Sequence, residues 1–86
     1  MSYQVELKSS AKRQFKKLSA DIQRVILTKL EQLTLNPRPP QSQKMVGEDN
    51  TYRIRVGDYR IIYEVFDHRL VVMVIRIGHR REVYRK

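Results

Sequence analysis

The hydrophobic positions of this chain repeat with two different periods, and the change falls near residue 44. Tyr3, Val5 and Leu7 alternate with Gln4 and Glu6, which predicts a short strand. Ser9 or Ser10 then offers an N-cap for a helix over Ala11 to Leu18, a segment rich in Lys and Arg with Phe15 and Leu18 on one face. Ser19 offers a second cap, and Asp21 follows in the first turn, where a carboxylate favours the helix dipole. Ile22, Val25, Ile26, Lys29, Leu30 and Leu33 form the stripe of this longer helix. Asn36-Pro37 stops it, and Pro39-Pro40 enforces an extended connection. The two helices read as a hairpin with a very short link.

Past Lys44 the period becomes two. Thr51 to Val56, Tyr59 to Phe66 and Arg69 to Ile77 read as three consecutive strands. Gly57-Asp58 suits a two-residue type II′ turn, and Asp67-His68 lies where the next hairpin should turn. The expected order is β-α-α-β-β-β in one domain spanning residues 1–86. This is an α+β fold: a small antiparallel sheet with the N-terminal helical hairpin packed on one face. With Val56 opposite Tyr59, alternation puts Tyr52, Ile54, Val56, Tyr59, Ile61, Tyr63 and Val65 on the core face, joined by Leu70, Val72 and Val74. The other face carries Arg53, Arg55 and Arg60 among Ile62, Glu64, Val71, Met73 and Ile75.

Composition narrows the class. The 86 residues contain no Cys, which excludes a disulfide framework, a Cys-ligated zinc site and thiol catalysis. Two His are too few for a convincing metal site, and no cofactor is expected. No apolar run approaches the ~20 residues of a membrane-spanning helix, and MSYQVELKSS lacks a signal pattern. A soluble cytoplasmic protein without membrane contact is expected. Its net charge is +9, from 18 Lys and Arg against 9 acids, which points to a polyanionic partner. The kind of base shifts along the chain. Up to Gln43 there are five Lys and three Arg; from Lys44 onward there are two Lys and eight Arg. Arg presents a rigid fork matched to phosphate, so a phosphate site is expected in the second half.

The strand register sharpens that expectation. Arg55 directly opposite Arg60 is a like-charge pair that costs a few tenths to ~1 kcal/mol, and Arg53 adds a third charge on the same side. A bound phosphate would offset that cost; splaying into solvent, or pairing with Glu64, Asp58 or Glu82, is the plainer alternative. After the last strand comes Gly78-His79-Arg80-Arg81-Glu82-Val83-Tyr84. Gly lets the chain turn sharply, which would put His79 and Arg80 near the Arg-bearing face, with Tyr84 folding back over it. RNA cleavage by the 2′-hydroxyl needs a base for its proton, cations for the phosphate and an acid for the departing 5′ oxygen. Arg53, Arg55, Arg60 and Arg80 suit the cation role. Arg stays protonated, so Tyr84 and His79 are the candidates for proton transfer.

YRIRVGDYRIIY over Tyr52–Tyr63, followed by Val74-Ile75-Arg76-Ile77-Gly78-His79-Arg80 and Glu82-Val83-Tyr84, resembles the RelE branch of the RelE/ParE toxin superfamily. The resemblance extends over nearly the whole chain. It implies a prokaryotic toxin of a type II toxin–antitoxin pair that enters the ribosomal A site and cuts mRNA there. It also implies a cognate antitoxin that blocks the toxin with an acidic or amphipathic segment, and operator DNA reached only through the antitoxin complex. Its implied catalytic positions are Arg53, Arg55, Arg60, Arg80 and Tyr84; where RelE enzymes often carry Lys on the first of these strands, this chain has Arg. That exchange weakens a general-base role and leaves charge stabilisation intact, so more of the proton transfer falls to Tyr84 or His79. Lys12, Arg13, Lys16, Lys17, Lys44 and Arg81 are the expected contacts to RNA or the ribosome. The other readings are a ParE-like gyrase inhibitor without RNA cleavage and a non-catalytic nucleic-acid-binding module.

Overall fold

The computed structural model describes residues 2–79, and they form two helices and one five-stranded sheet. In chain order the elements are β1 (Gln4–Leu7), α1 (Ser9–Lys16), α2 (Ala20–Leu35), β2 (Ser42–Lys44), β3 (Thr51–Val56), β4 (Tyr59–Phe66) and β5 (Val71–His79). The sheet order is β1-β5-β4-β3-β2. The α+β class and the helical hairpin agree with the sequence reading, and three features of the sheet differ from it.

First, β1 runs parallel to β5, with Val5 beside Val72 and Leu7 beside Val74, so the sheet is mixed rather than wholly antiparallel. The helical hairpin after β1 supplies the long crossover that a parallel neighbour needs. Second, Ser42-Gln43-Lys44 adds an edge strand against β3. Its polar residues carry no alternating signal; the open edge of β3 orders them. Third, the β4–β5 loop has four residues, Asp67 to Leu70, and β5 begins at Val71 rather than Arg69. The bonds Arg69 N–H to Phe66 O (3.2 Å) and Leu70 N–H to Asp67 O (3.3 Å) close it, with Leu70 at φ 55°. Two extra residues preserve the alternation, so Val72 and Val74 still point into the core.

The tight β3–β4 turn is as expected. Gly57 sits at φ 60°, which glycine adopts without the Cβ clash other residues meet. Arg55 lies opposite Arg60, and Ile54 opposite Ile61. A bulge in β5 then breaks the alternation: Tyr63 pairs with Val74 but Ile62 with Arg76, leaving Ile75 as the extra residue. Ile77 is thereby turned inward and fully buried.

The helices cover one face. Ile26, Leu30 and Leu33 of α2 are buried with Ile54, Ile61, Tyr63, Val72, Val74 and Ile77. Burying a side chain of this size contributes about 1.5–3 kcal/mol. Ser19 caps α2 as expected, its hydroxyl accepting from Ile22 N–H at 3.4 Å. Val25 departs from the expected stripe: it is 52% exposed, because the buried face narrows to Ile26, Leu30 and Leu33. Neither Ser9 nor Ser10 caps α1; Lys8 holds the cap position without a side-chain bond. Ser10 instead donates to Ile75 O at 3.1 Å, and Gln14 Oε1 accepts from Ile77 N–H at 2.7 Å. These side chains serve the β5 edge where β1 has ended, so α1 finishes the sheet that the short first strand leaves incomplete. No helix among the described residues is long and apolar enough to cross a membrane.

A polar clasp joins the N-terminal segment, the α2–β2 connection and the β4–β5 loop. Arg38 Nη1 and Nη2 bond the Asp67 carboxylate at 3.2 and 2.7 Å, and Arg38 Nε donates to Tyr52 Oη at 2.9 Å. The guanidinium lies 5.3 Å from the Tyr52 ring centroid. Tyr52 stacks on Tyr63, whose buried hydroxyl donates to Pro37 O at 2.7 Å. Tyr3 Oη also donates to Asp67. The Arg38 guanidinium, then the Tyr3 hydroxyl, hold the Asp67 carboxyl below the usual carboxylate range. Burial pushes the Tyr63 hydroxyl up to about 12.

Candidate functional site

Three arginines meet on the sheet face away from the helices. Arg53 and Arg55 alternate outward along β3, and Arg60 projects from β4 directly across from Arg55. Gly78 is the β5 neighbour of Arg60, so no side chain crowds it from that strand. With Gln41 and Gln43 the three arginines line a cleft of about 230 Å³. Arg53 Nε and Nη2 both donate to Gln43 Oε1, at 3.1 and 2.7 Å. Arg55 Nε donates to Gly57 O at 3.4 Å, and Arg60 Nη1 to Tyr59 O at 3.1 Å. These bonds end on neutral oxygens, which orient a guanidinium without cancelling its charge. The arrangement suits a phosphate or a developing oxyanion.

The structure does not bring all of the sequence candidates to this face. His79 was expected beside the arginines; it stands instead on the helix side. It is the register partner of Tyr59, and the two rings meet edge-on with centroids 5.7 Å apart. The bulge at Ile75 is the cause, since one extra residue exchanges the faces of everything after it. His79 and Tyr59 line a larger groove of about 540 Å³ with Gln14, Lys17, Leu18 and Ile77. Lys44 pairs with Tyr52 and so holds a position on the helix-side face rather than beside Arg53. Lys12, Arg13, Lys16 and Lys17 are exposed along and just after α1, in the helix layer. Arg80, Arg81 and Tyr84 lie outside the described residues. Gln41 and Gln43 escaped the sequence reading. Their only signal was position: both follow Pro39-Pro40, where the connection is not extended as expected but turns, Ser42 N–H bonding Pro39 O at 2.9 Å, before it enters the edge of β3.

Comparison with known proteins adds a family. The model described as ParE toxin of type II toxin-antitoxin system, parDE, matches residues 5–84. A RelE-like toxin protein of Escherichia coli is 34% identical over 82 residues, covering 93% of this chain and 85% of that one. The mRNA interferase toxin RelE of Escherichia coli strain K12 is 31% identical over 88 residues, covering 98% of this chain and 92% of that one. Among solved structures, a chain of the intact E. coli RelBE toxin–antitoxin complex superposes with a TM-score of 0.81 at 28% identity, covering 91% of this chain and 96% of its own.

Proposed function

The chain belongs to the ParE toxin family of type II toxin–antitoxin systems and is a RelE-like member of the RelE/ParE superfamily, and on that premise we propose that it is an endoribonuclease that cuts mRNA in the ribosomal A site. One observation carries the reading: Arg55 and Arg60 face each other across a tight hairpin, with Arg53 beside them, around an exposed cleft. That geometry costs folding energy unless an anion occupies it.

In this reading the 2′-hydroxyl of the bound RNA attacks the adjacent phosphorus while the bond to the 5′ oxygen breaks. The attacking oxygen loses its proton and the leaving oxygen gains one, giving a cyclic phosphate and a 5′-hydroxyl. Arg53, Arg55, Arg60 and Arg80 stabilise the charge that builds on the phosphoryl oxygens. An Arg cannot take up the 2′ proton, and His79 faces the other side of the sheet. Proton transfer is therefore assigned to Tyr84, whose phenolate nearby cations would favour. Lys12, Arg13, Lys16, Lys17, Lys44 and Arg81 would contact RNA backbone of the ribosome.

The same reading supplies a partner. The solved relative is in complex with an antitoxin, and a cognate antitoxin with an acidic or amphipathic segment is proposed here, with operator DNA reached only through that complex. The site of action would be the cytoplasm of a prokaryote.

Primer extension on an mRNA in a cell-free translation reaction, beside the same RNA without ribosomes, tests the activity. New 5′ ends within codons, seen only with ribosomes, are expected. A folded sample that yields none in either reaction overturns the reading, and inhibition of DNA supercoiling by that sample would replace it with gyrase poisoning.

A further inference from the structure

We infer that Gly78 is an open crossing, over which an RNA strand held at Arg55 and Arg60 continues into the groove between α1 and the edge of β5. The inference rests on the reading of the cleft given above and adds a second stretch to the path of the RNA.

A glycine stands here where neither a turn nor a bulge calls for one. From the sequence, Gly78 was expected to turn the chain after the last strand. In the structure it lies inside β5, and the pairing around it is regular: Ile61 with Ile77, Arg60 with Gly78, Tyr59 with His79. The bulge falls earlier, at Ile75, and the left-handed glycines among the described residues are Gly47 and Gly57. Glycine within a regular strand weakens it, since it loses the most freedom on folding and packs no side chain. Close approach of a ligand to the backbone gives such a position its reason.

The neighbours of Gly78 indicate what approaches. Arg55, Arg60 and Gly78 are successive places in one cross-strand row on the outer face. Adjacent strands lie about 4.8 Å apart, so two long cationic side chains stand beside a place that has none. Arg55 and Arg60 line the cleft of about 230 Å³. Gly78 lines the groove of about 540 Å³, together with Gln14 and Lys17 of the helix layer. The two spaces therefore adjoin at the Arg60–Gly78 pair. The groove opens there because β1 pairs with β5 only from Val71 to Val74. Beyond that point α1 takes over the edge, with Gln14 Oε1 accepting from Ile77 N–H at 2.7 Å. A Cβ at position 78 would project on the Arg60 side of the sheet and stand as a wall between cleft and groove.

A strand with repeating phosphates fits this shape. Arg55 and Arg60 suit one phosphate, and the exposed Lys17 supplies a point charge for another on the far side of the crossing. Sites for single-stranded RNA track its backbone along a basic groove in this way. A lone phosphate would need only the cleft; a strand needs a way out of it.

The test uses the full chain and four variants: Gly78→Ala, Gly78→Val, Lys17→Ala and Gly78→Val with Lys17→Ala. Kd is read across a salt series for two 2′-O-methyl RNAs that cannot be cut, a dinucleotide and a tetranucleotide. The cutting rate on ribosome-bound mRNA and a thermal melt accompany it. Replacing a strand glycine should leave Tm level or raise it by about 2–5 °C. Gly78→Val should weaken the tetranucleotide about 10-fold, in line with misplacement beside a binding group, with Gly78→Ala between it and wild type. The dinucleotide, whose single phosphate needs only the cleft, should keep its Kd. Lys17→Ala should weaken the tetranucleotide alone and lower its salt slope by about 0.7; in the Gly78→Val background it should have no further effect. Cutting should fall from wild type to Gly78→Ala to Gly78→Val. Equal losses for both lengths, additive effects of Gly78→Val and Lys17→Ala, or wild-type Kd values in Gly78→Val each overturn the inference. So does a clear fall in the Tm of Gly78→Ala, which would mean that the chain itself fills the space. If the Kd pattern appears and wild type does not cut, the nuclease reading fails and the crossing stands. If wild type cuts and the pattern is absent, the crossing alone fails.

Discussion

Arg38 and the Arg53–Arg55–Arg60 group are two solutions to placing guanidinium groups on one small sheet, and they stand on opposite faces of it. Arg38 is bonded bidentately to the Asp67 carboxylate, lies over the Tyr52 ring and bridges segments far apart in the chain. The bonds described for the outer group end on an amide oxygen and two backbone carbonyls. Asp67 neutralises Arg38, so that contact contributes to folding. Arg55 and Arg60 donate to backbone carbonyls, which carry no net charge, and these two guanidinium groups face each other at a cost to folding. On the proposed reading, Arg38 builds the fold and is given an anion, whereas Arg55 and Arg60 serve a ligand and receive their anion from outside.

The largest test of this contrast is Arg60→Ala. Losing one group that stabilises transition-state charge should lower the cutting rate about 10²–10³-fold. The melting temperature should stay level or rise, because the repulsion across the hairpin disappears. Primer extension and a thermal melt of the same preparation give both halves; a clear fall in Tm would erase the distinction between the two groups.

Arg38→Ala should do the reverse. The exposed ion pair and the ring contact are together worth about 1 kcal/mol, which in a domain of this size shifts Tm by about 5 °C. Cutting by the folded fraction should be unchanged. A loss of comparable size is expected from Tyr63→Phe, since the buried hydroxyl bond to Pro37 O contributes about 0.5–1.5 kcal/mol.

The smallest effect is in pH dependence. Asp67 titrates below its usual value in the folded chain because Arg38 and Tyr3 bond the carboxylate. Its contribution to stability is therefore complete above the ordinary Asp value near ~3.9 and is lost as pH falls through the lowered folded value. The Tm gap between wild type and Arg38→Ala should close on acidification through that range. The gap between wild type and Arg60→Ala should not, since Arg60 donates to the Tyr59 backbone carbonyl, which does not titrate. Melts at a series of acidic pH values would separate the two.

Much of the outer cluster was legible in the chain because a hairpin is a local object. Gly57-Asp58 sets the turn, the turn sets the register, and alternation then places Arg53, Arg55 and Arg60 together without reference to anything else. The caps and stop of α2, and the core residues Ile54, Ile61 and Tyr63, follow from equally local patterns.

What the tertiary structure decided are the relations between distant segments. The parallel pairing of β1 with β5 depends on the helical hairpin carrying the chain from the β1 edge to the β2 edge of the sheet. Arg38 meets Asp67, and Gln43 meets Arg53, only after the sheet has assembled. His79 changed faces because the bulge at Ile75 added one residue to β5, whose run from Val71 to Ile75 is apolar on both faces and so has no alternation in which a break could show. Periodicity reports which side chains share a face while a strand stays regular. Insertions, edges and long-range partners are set by packing against the rest of the molecule, and no local pattern encodes them.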